Sequence, residues 1–377
     1  MNRPKVSFIV PCYKLAHLLP QCVESILAQT YRDFEILIMD DCSPDDTAEV
    51  SRGFNDPRVK HVRNEPNLGH LRNYNKGFDL ATGQYLWLVS ADDCLRTPYV
   101  LERYLEVLEA NPRIGYAFCP GVGLQGRQET AIIPFGRLDQ PDTVMEGRKF
   151  LRRLLQSNCV LAPAGMVRRD CYDRVGFFPL DLPFAGDWYL WCAIALHYDV
   201  AYFAAPMVNY REHSLSMTDT LIGDDIRKLS DDDFKVRWRM KQNIEQVGDD
   251  DLARHCTSTI VEDYIHSLTA KTWRGTRFRM SVAEFDRSLM THASDARERE
   301  GIRRRVLAGV GRRLSWDRNL VPELQLYRLA VEYGGPNPKL WLKFAIRALG
   351  PAGTLIMRTL GMLRTVTRRQ DPGVARP

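Results

Sequence analysis

Residues 85–93 read Tyr85-Leu86-Trp87-Leu88-Val89-Ser90-Ala91-Asp92-Asp93, an apolar run followed by two small residues and a pair of acids. The run has the length and character of a buried strand. Working outward, the same unit recurs. Phe34 to Met39 is a second apolar run that ends in Asp40-Asp41, and Val6 to Val10 is a shorter one closed by Pro11. Val59 to Val62 is a brief further strand. Between the runs, Leu18, Leu19, Cys22, Ile26 and Leu27 recur at helical spacing, Asp45-Asp46-Thr47 opens another helix, and the turn Asn67-Leu68-Gly69 leads into a helix through Leu80. Strands alternating with helices predict an α/β fold with a mostly parallel sheet covered on both faces. In such sheets ligands bind beyond the carboxyl ends of the strands, and both acidic pairs fall there.

The pattern changes further along. Residues 115–220 are less regular, with strands near Tyr116–Cys119 and Val200–Ala204 and a helix around Trp188–His197. Beyond Asp224 the spacing is helical almost throughout, over Asp231 to Val247, Asp249 to Trp273 and Val282 to Met290. Pro336 and Pro338 break the chain before a last basic, apolar stretch.

With 377 residues, 45% hydrophobic and 26% charged, the chain is neither disordered nor fibrous nor a small disulfide scaffold. A net charge of +5 hides an asymmetry: residues 301–377 hold 15 Lys/Arg against 4 Asp/Glu, a net +11, so the rest carries −6. A basic block on an acidic body points to an anionic partner, either membrane headgroups or nucleic acid. Nine cysteines without a CxxC or Cys/His cluster read as buried free thiols in a reducing compartment. The N-terminal stretch enters a strand too soon to be a signal peptide, and no uncharged apolar run of ~18 residues exists to span a membrane.

Asp92-Asp93 carries the first chemistry. Two adjacent carboxylates repel and need cations or hydrogen bonds around them. A hard divalent cation shared with phosphate oxygens satisfies both. The other reading is a capping pair for a helix near Pro98.

The pair does not stand alone. Val10-Pro11-Cys12-Tyr13, Met39-Asp40-Asp41-Cys42-Ser43-Pro44-Asp45, Asn67-Leu68-Gly69 with Arg72-Asn73, and Ala81-Thr82-Gly83-Gln84-Tyr85 leading to Ser90-Ala91-Asp92-Asp93 occur in order. Over residues 5 to about 215 the chain resembles the inverting family 2 glycosyltransferases of the GT-A fold. The resemblance implies that Pro11 and Tyr13 line the nucleotide base pocket and that Asp41 accepts a hydrogen bond from the base. It implies that Arg72 helps hold the nucleotide, that Asp92 contacts the ribose, and that Asp93 binds the Mn2+ or Mg2+ that bridges the diphosphate. Ser90 stands where many members carry an acid two positions before the pair.

Phe184-Ala185-Gly186-Asp187-Trp188-Tyr189-Leu190-Trp191 resembles the family's Glu-Asp-x-x-Leu-Trp region, with Gly186 in place of the Glu. The resemblance makes Asp187 the general base that takes the acceptor hydroxyl's proton; as a residue it also fits a cap on the helix after it. Trp188 and Trp191 suit either a sugar face or the core. In Tyr210-Arg211-Glu212-His213-Ser214-Leu215-Ser216 the resemblance lets Arg211 reach the diphosphate and His213 complete the metal shell, with a surface histidine as the alternative.

The expected organisation is a GT-A glycosyltransferase domain over 1–220, a helical extension over 221–335 and a basic amphipathic tail over 336–377. The expected activity moves one sugar from a nucleotide diphosphate sugar, a UDP-sugar, to a carbohydrate or lipid-linked acceptor in polysaccharide or lipopolysaccharide synthesis. The processive synthases' Gln-x-x-Arg-Trp motif is missing, which favours single additions. A catalytically inactive sugar-nucleotide binding protein is the main rival. A nucleotidyltransferase would want a glycine-rich loop after the first strand, and a dehydrogenase a Gly-x-Gly-x-x-Gly there; residues 11–16 hold no glycine. The tail suggests a cytoplasmic protein docked on the inner face of the cytoplasmic membrane rather than one that binds nucleic acid.

Overall fold

The computed structural model describes residues 3–211, 227–269, 271–273, 276–316, 324–333 and 337–349. Strands β1 (Val6–Cys12), β2 (Phe34–Asp40), β3 (Val59–Arg63) and β4 (Tyr85–Leu88) are joined by helices α1 (Leu19–Leu27), α2 (Thr47–Arg52) and α3 (His70–Leu80). Strand β5 (Cys94–Leu95) and helix α4 (Val100–Ala110) follow, then β6 (Ile114–Phe118), the hairpin β7 (Gly121–Gln125) and β8 (Gln128–Ile132), and β9 (Thr143–Met145). Helix α5 (Gly147–Leu154), β10 (Met166–Arg168), α6 (Arg169–Val175), α7 (Gly186–Ala195), β11 (Asp199–Tyr202) and β12 (Val208–Arg211) complete the sheet region.

The main sheet has eight strands in the order β3-β2-β1-β4-β10-β6-β11-β9. Strand β10 runs antiparallel to both its neighbours and β9 antiparallel to β11; the other pairs are parallel. Every residue of β1 and β2 is buried, as expected for central strands covered on both faces. An aromatic column fills one side of the core. Phe8 stacks on Trp87 at 5.5 Å, Trp87 meets Tyr104 at 4.6 Å, and Tyr104 meets Phe203 at 4.8 Å. The polar tips of Trp87 and Tyr104 donate to the carbonyls of Pro163 (2.8 Å) and Ala164 (2.9 Å), so no buried donor in the column is left unmet.

The register of β1 sets up the site. Cys12 pairs with Asp40 across β1 and β2, so both strands end level. Beyond their ends the Asp41 N–H donates to the Cys12 carbonyl (3.1 Å) and the Ala91 N–H to the Pro11 carbonyl (3.1 Å). The loops after β1, β2 and β4 are therefore stitched together along one edge. A second sheet, β5-β12-β7-β8, brings β12 beside the two residues that follow Asp93.

The chain divides into two compact units, Met1–Cys256 and Thr257–Pro377. The first therefore includes α8 (Arg227–Gln246), which sequence reading assigned to the extension. Its Arg237 lies over the Trp188 ring at 4.7 Å and donates to the carbonyls of Leu155 (2.9 Å) and Gln156 (2.8 Å). Helix α9 (Asp250–Thr269) ends earlier than its expected continuation to Trp273. The Thr269 hydroxyl bonds back to the Ile265 carbonyl (2.7 Å), and the next residues form the hairpin β13 (Lys271–Trp273) and β14 (Thr276–Phe278). Within the second unit, α10 (Val282–His292) opens on a Ser281/Glu284 capping box. Helices α11 (Ala296–Trp316), α12 (Leu324–Tyr333) and α13 (Pro338–Ala348) follow. Residue His213 and the part of the expected basic tail beyond residue 349 lie outside the described residues.

Candidate functional site

At the end of β2 the two acids have separate work. Asp40 is fully buried; its carboxylate accepts from the Ser43 N–H (2.8 Å) and Arg63 (2.7 Å), with His61 Nε2 at 3.0 Å. Asp41 Oδ1 accepts from the Leu68 N–H (2.8 Å) and Asn64 Nδ2 (2.9 Å), and Oδ2 from the Gly69 N–H (2.9 Å). The Asn67-Leu68-Gly69 turn is thus latched to the strand end, and Gly69 holds a φ of +79° that L side chains rarely adopt. Asp41 Oδ2 keeps acceptor capacity toward a ligand.

The loop after β1 is fixed from the same side. The Lys14 N–H donates to Ser43 Oγ (2.7 Å) and the Ala16 N–H to Asp45 Oδ2 (3.0 Å). Pro11 is buried, whereas Tyr13 is 44% exposed with Lys14 Nζ 5.1 Å from its ring centre. An exposed aromatic on a pinned loop suits a stacking partner. Arg72 is exposed on α3.

Asp92 and Asp93 sit in a tight turn after β4, closed by the Asp93 N–H on the Ser90 carbonyl (2.9 Å). Strand β12 locks that turn. The Arg211 N–H donates to Asp93 Oδ1 (3.0 Å), and its guanidinium donates to the carbonyls of Asp92 (3.0 Å) and Gly126 and to Gln21 Oε1 (2.9 Å). Arg211 is itself buried, so its planar fork grips the turn from behind. Burial and the neighbouring Asp92 charge push the Asp93 carboxyl well above its ordinary range, and the Arg211 amide and charge offset only part of this. The turn offers oxygen donors and no nitrogen or sulfur, and a hard divalent cation would relieve the repulsion within it. Among the described residues no group of three or more His, Cys, Asp or Glu is placed to hold a metal ion, so these two carboxylates would share it with phosphate oxygens.

Asp187 is the second residue of α7, whose N-cap is Ala185. It is therefore inside the first turn and not the cap. Burial pushes its carboxyl up to about 6, against the opposing pull of the Trp188 N–H (2.7 Å) and Asn158 Nδ2 (3.5 Å). The segment before it is held by the Phe184 N–H on Asp232 Oδ2 (2.9 Å). Gly186 explains its own departure from the family pattern: a Cβ there would lie 3.0 Å from the Phe178 ring.

Tyr74, which sequence reading did not single out, ties the acids together. It is buried on α3, edge-on to His70 (5.7 Å) and Phe178 (5.5 Å). Burial raises its phenol, and the charges of Asp92, Asp187, Asp93 and Asp41 raise it further. All four carboxylates, from two loops and a helix, therefore bear electrostatically on this one hydroxyl. The one signal in the sequence was its position, two residues after Arg72 in the helix opened by the Asn-x-Gly turn.

The glycosyl transferase family 2 model matches residues 7–170. Somewhat less than half of the chain is thus similar to the family 2 glycosyltransferases. The match takes in Pro11, Tyr13, Asp41, Arg72, Asp92 and Asp93, and stops before Asp187 and Arg211. The chain is 36% identical over 115 residues to an uncharacterized glycosyltransferase of Haemophilus influenzae, covering 30% of this chain and 38% of that one. It is 35% identical over 106 residues to glycosyltransferase GlyG of Streptococcus pneumoniae, covering 28% and 35%. A PGL/p-HBAD biosynthesis glycosyltransferase of Mycobacterium bovis is 27% identical over 198 residues, covering 50% and 68%. The matches thus span little more than a third of the first two relatives. In structure, the chain superposes on residues 1–349 of S. aureus TarS, solved in complex with UDP, with a TM-score of 0.56 and 17% identity over 88% of each chain. The fold is GT-A, with helices beyond the sheet region.

Proposed function

We propose that the protein is an inverting, divalent-metal-dependent glycosyltransferase that moves one sugar from a UDP-sugar to an acceptor hydroxyl in the synthesis of a cell-surface glycan. The observation that supports this is that the loops after β1, β2 and β4, which carry Asp41, Asp92 and Asp93, are bonded together along one edge of the sheet, and that their charges and that of Asp187 all bear on Tyr74. The similarity to the family supports the reaction class. The UDP complex of TarS and the relative named for PGL/p-HBAD biosynthesis support the donor and the glycan product.

In this reading Pro11 and Tyr13 receive the base and Asp41 accepts its hydrogen bond. Arg72 meets the nucleotide from α3, and Asp92 takes the ribose. Asp93, with His213, would hold Mn2+ or Mg2+, which when bound supplies positive charge to the departing diphosphate. Arg211 serves the donor from behind, by fixing the turn that presents both acids. Asp187 takes the proton from the acceptor oxygen as that oxygen bonds to the anomeric carbon and the diphosphate leaves on the opposite face. A carboxyl at about 6 is ionised at neutral pH yet basic enough for that task. The basic C-terminal block supports docking on the inner face of the cytoplasmic membrane.

A screen of nucleotide sugars for diphosphate release, with Mn2+ or Mg2+, tests the reading. We expect UDP release from at least one UDP-sugar. Binding of UDP-sugars without release from any, with or without acceptor extracts, would leave a sugar-nucleotide binding protein.

A further inference from the structure

Helix α13 turns an apolar side outward. Leu340 is buried, and the Lys343 ammonium donates to the Leu314 and Ser315 carbonyls at the end of α11, so one side of the helix is seated within the second unit. The opposite side exposes Trp341 (52%), Leu342 (61%), Ala345 and Ala348, continued by Leu349 (59%). At about 100° per residue these positions fall within one arc of about 120°. A helix on the surface of a water-soluble unit normally shows polar residues there. On α13 the outward arc holds no charge, and Lys339 and Lys343 lie off it.

The charge around this face identifies its occupant. From residue 339 onward the sequence carries eight Lys or Arg and one acid, Asp371. An apolar stripe with a Trp, flanked by dense positive charge, matches the boundary between acyl chains and anionic headgroups. Among the described residues no helix is long and apolar enough to cross a membrane, so the contact is with the surface. We infer that α13 is a membrane-docking helix, inserting Trp341, Leu342, Ala345 and Leu349 into the interface of an anionic bilayer, to which the net positive charge of the C-terminal sequence draws it. This rests on the peripheral-membrane part of the proposed function and deepens it by naming the face. It gives a purpose to docking if the acceptor is carried on a lipid.

The test uses the full chain and vesicles of phosphatidylcholine with or without phosphatidylglycerol. Wild type is expected to cosediment with the anionic vesicles at low salt and to be released by high salt. The Trp341→Ser, Leu342→Ser double variant should partition about tenfold or more weakly, since each lost apolar side chain removes interfacial burial. Trp341→Phe with Leu342→Ile should retain binding, which separates insertion from a general loss of fold. UDP release from a UDP-sugar without vesicles should be the same in all three, so that a failed docking result and a failed transferase reading can be told apart. Equal sedimentation of wild type and the Ser variant, or no sedimentation of wild type, would overturn the inference. So would a concentration-dependent dimer that the Ser variant abolishes, because the face would then be an interface between copies.

Discussion

Asp93 and Asp187 are both pushed above the ordinary carboxylate range, and they get there by different routes. Asp93 is buried beside a second acid, so its charge is costly, and the β12 backbone and the Arg211 charge offset only part of that cost. Asp187 is raised by burial alone, to about 6, and accepts one short and one long hydrogen bond. The first region is built to hold a charge that something else neutralises. The second is built to take up and release a proton near neutral pH. In the proposed reading the first acid serves the leaving group and the second the acceptor, and each substitution below is aimed at one side of that contrast.

Asp93→Asn carries the largest expected effect. Transfer should fall to background, and Mn2+ titrated by calorimetry in the presence of UDP should no longer bind with the wild-type affinity. The Arg211 N–H can still donate to an amide oxygen, so circular dichroism should show the fold intact. Wild-type metal affinity in this variant would remove Asp93 from the metal site and dissolve the contrast.

Asp187→Asn should keep UDP and metal binding and lose about 10²–10⁴ in kcat. It should also raise stability, which a group held only for structure would not do. A carboxyl whose folded pKa is about 6, against an ordinary 3.8, binds its proton more tightly folded than unfolded. Its ionisation therefore costs stability, in full above about pH 6 and not at all below the ordinary value, on the order of 3 kcal/mol. The neutral amide avoids that cost. We expect Tm at pH 8 to rise by several degrees, the gain shrinking toward pH 4, while the wild-type rate climbs through about pH 6. A variant that stays active, or that melts lower at pH 8, would return Asp187 to a structural part in α7.

Tyr74→Phe sharpens the picture between the two acids. The ring's contacts with His70 and Phe178 remain, and only the hydroxyl among the four carboxylates goes. A loss of about tenfold in kcat/KM is expected, the scale of one hydrogen bond to a charged group. An unchanged kcat/KM with every donor would mean that the phenol merely lies near the acids.

The sheet, and with it the acids proposed for the donor side, was legible in the sequence, because β1, β2 and most of β4 are buried and therefore read as unbroken apolar runs, with acid pairs after β2 and β4 where parallel strands present ligands. The rest was written in contacts across long stretches of chain. The grip of Arg211 on Asp92 and Asp93 spans 119 and 118 positions, and nothing local tells a turn-holding arginine from a phosphate-binding one. Tyr74 looks like any core aromatic on a helix. Helix α8 reads as extension, yet Asp232 and Arg237 fix the segments on either side of the base. The end of α9 at Thr269, short of Trp273, gives way to the short strand pair Lys271–Trp273 and Thr276–Phe278, which helical spacing does not register.

The smallest expected effect lies at Asn158. Its Oδ1 accepts from the Val160 N–H at 3.0 Å, which fixes the amide so that Nδ2 faces Asp187 Oδ2 at 3.5 Å. A donor aimed at a carboxylate favours the charged form, so Asn158 draws the Asp187 pKa downward against burial. Asn158→Ala removes that pull. The base should then hold its proton to higher pH, and the rising limb of the kcat profile should move up by a fraction of a unit. Near pH 6 the loss should be a few-fold; well above the limb, where Asp187 is ionised in both proteins, most of it should vanish. Donor KM should not move, because Asn158 touches the base and none of the residues assigned to the nucleotide. A uniform loss at all pH values would mean that the variant disturbs the 158–160 turn instead of the proton, and an identical profile would mean that a 3.5 Å contact is too long to tune Asp187, leaving the Asp92 charge beside Asp93 as what separates the two acids.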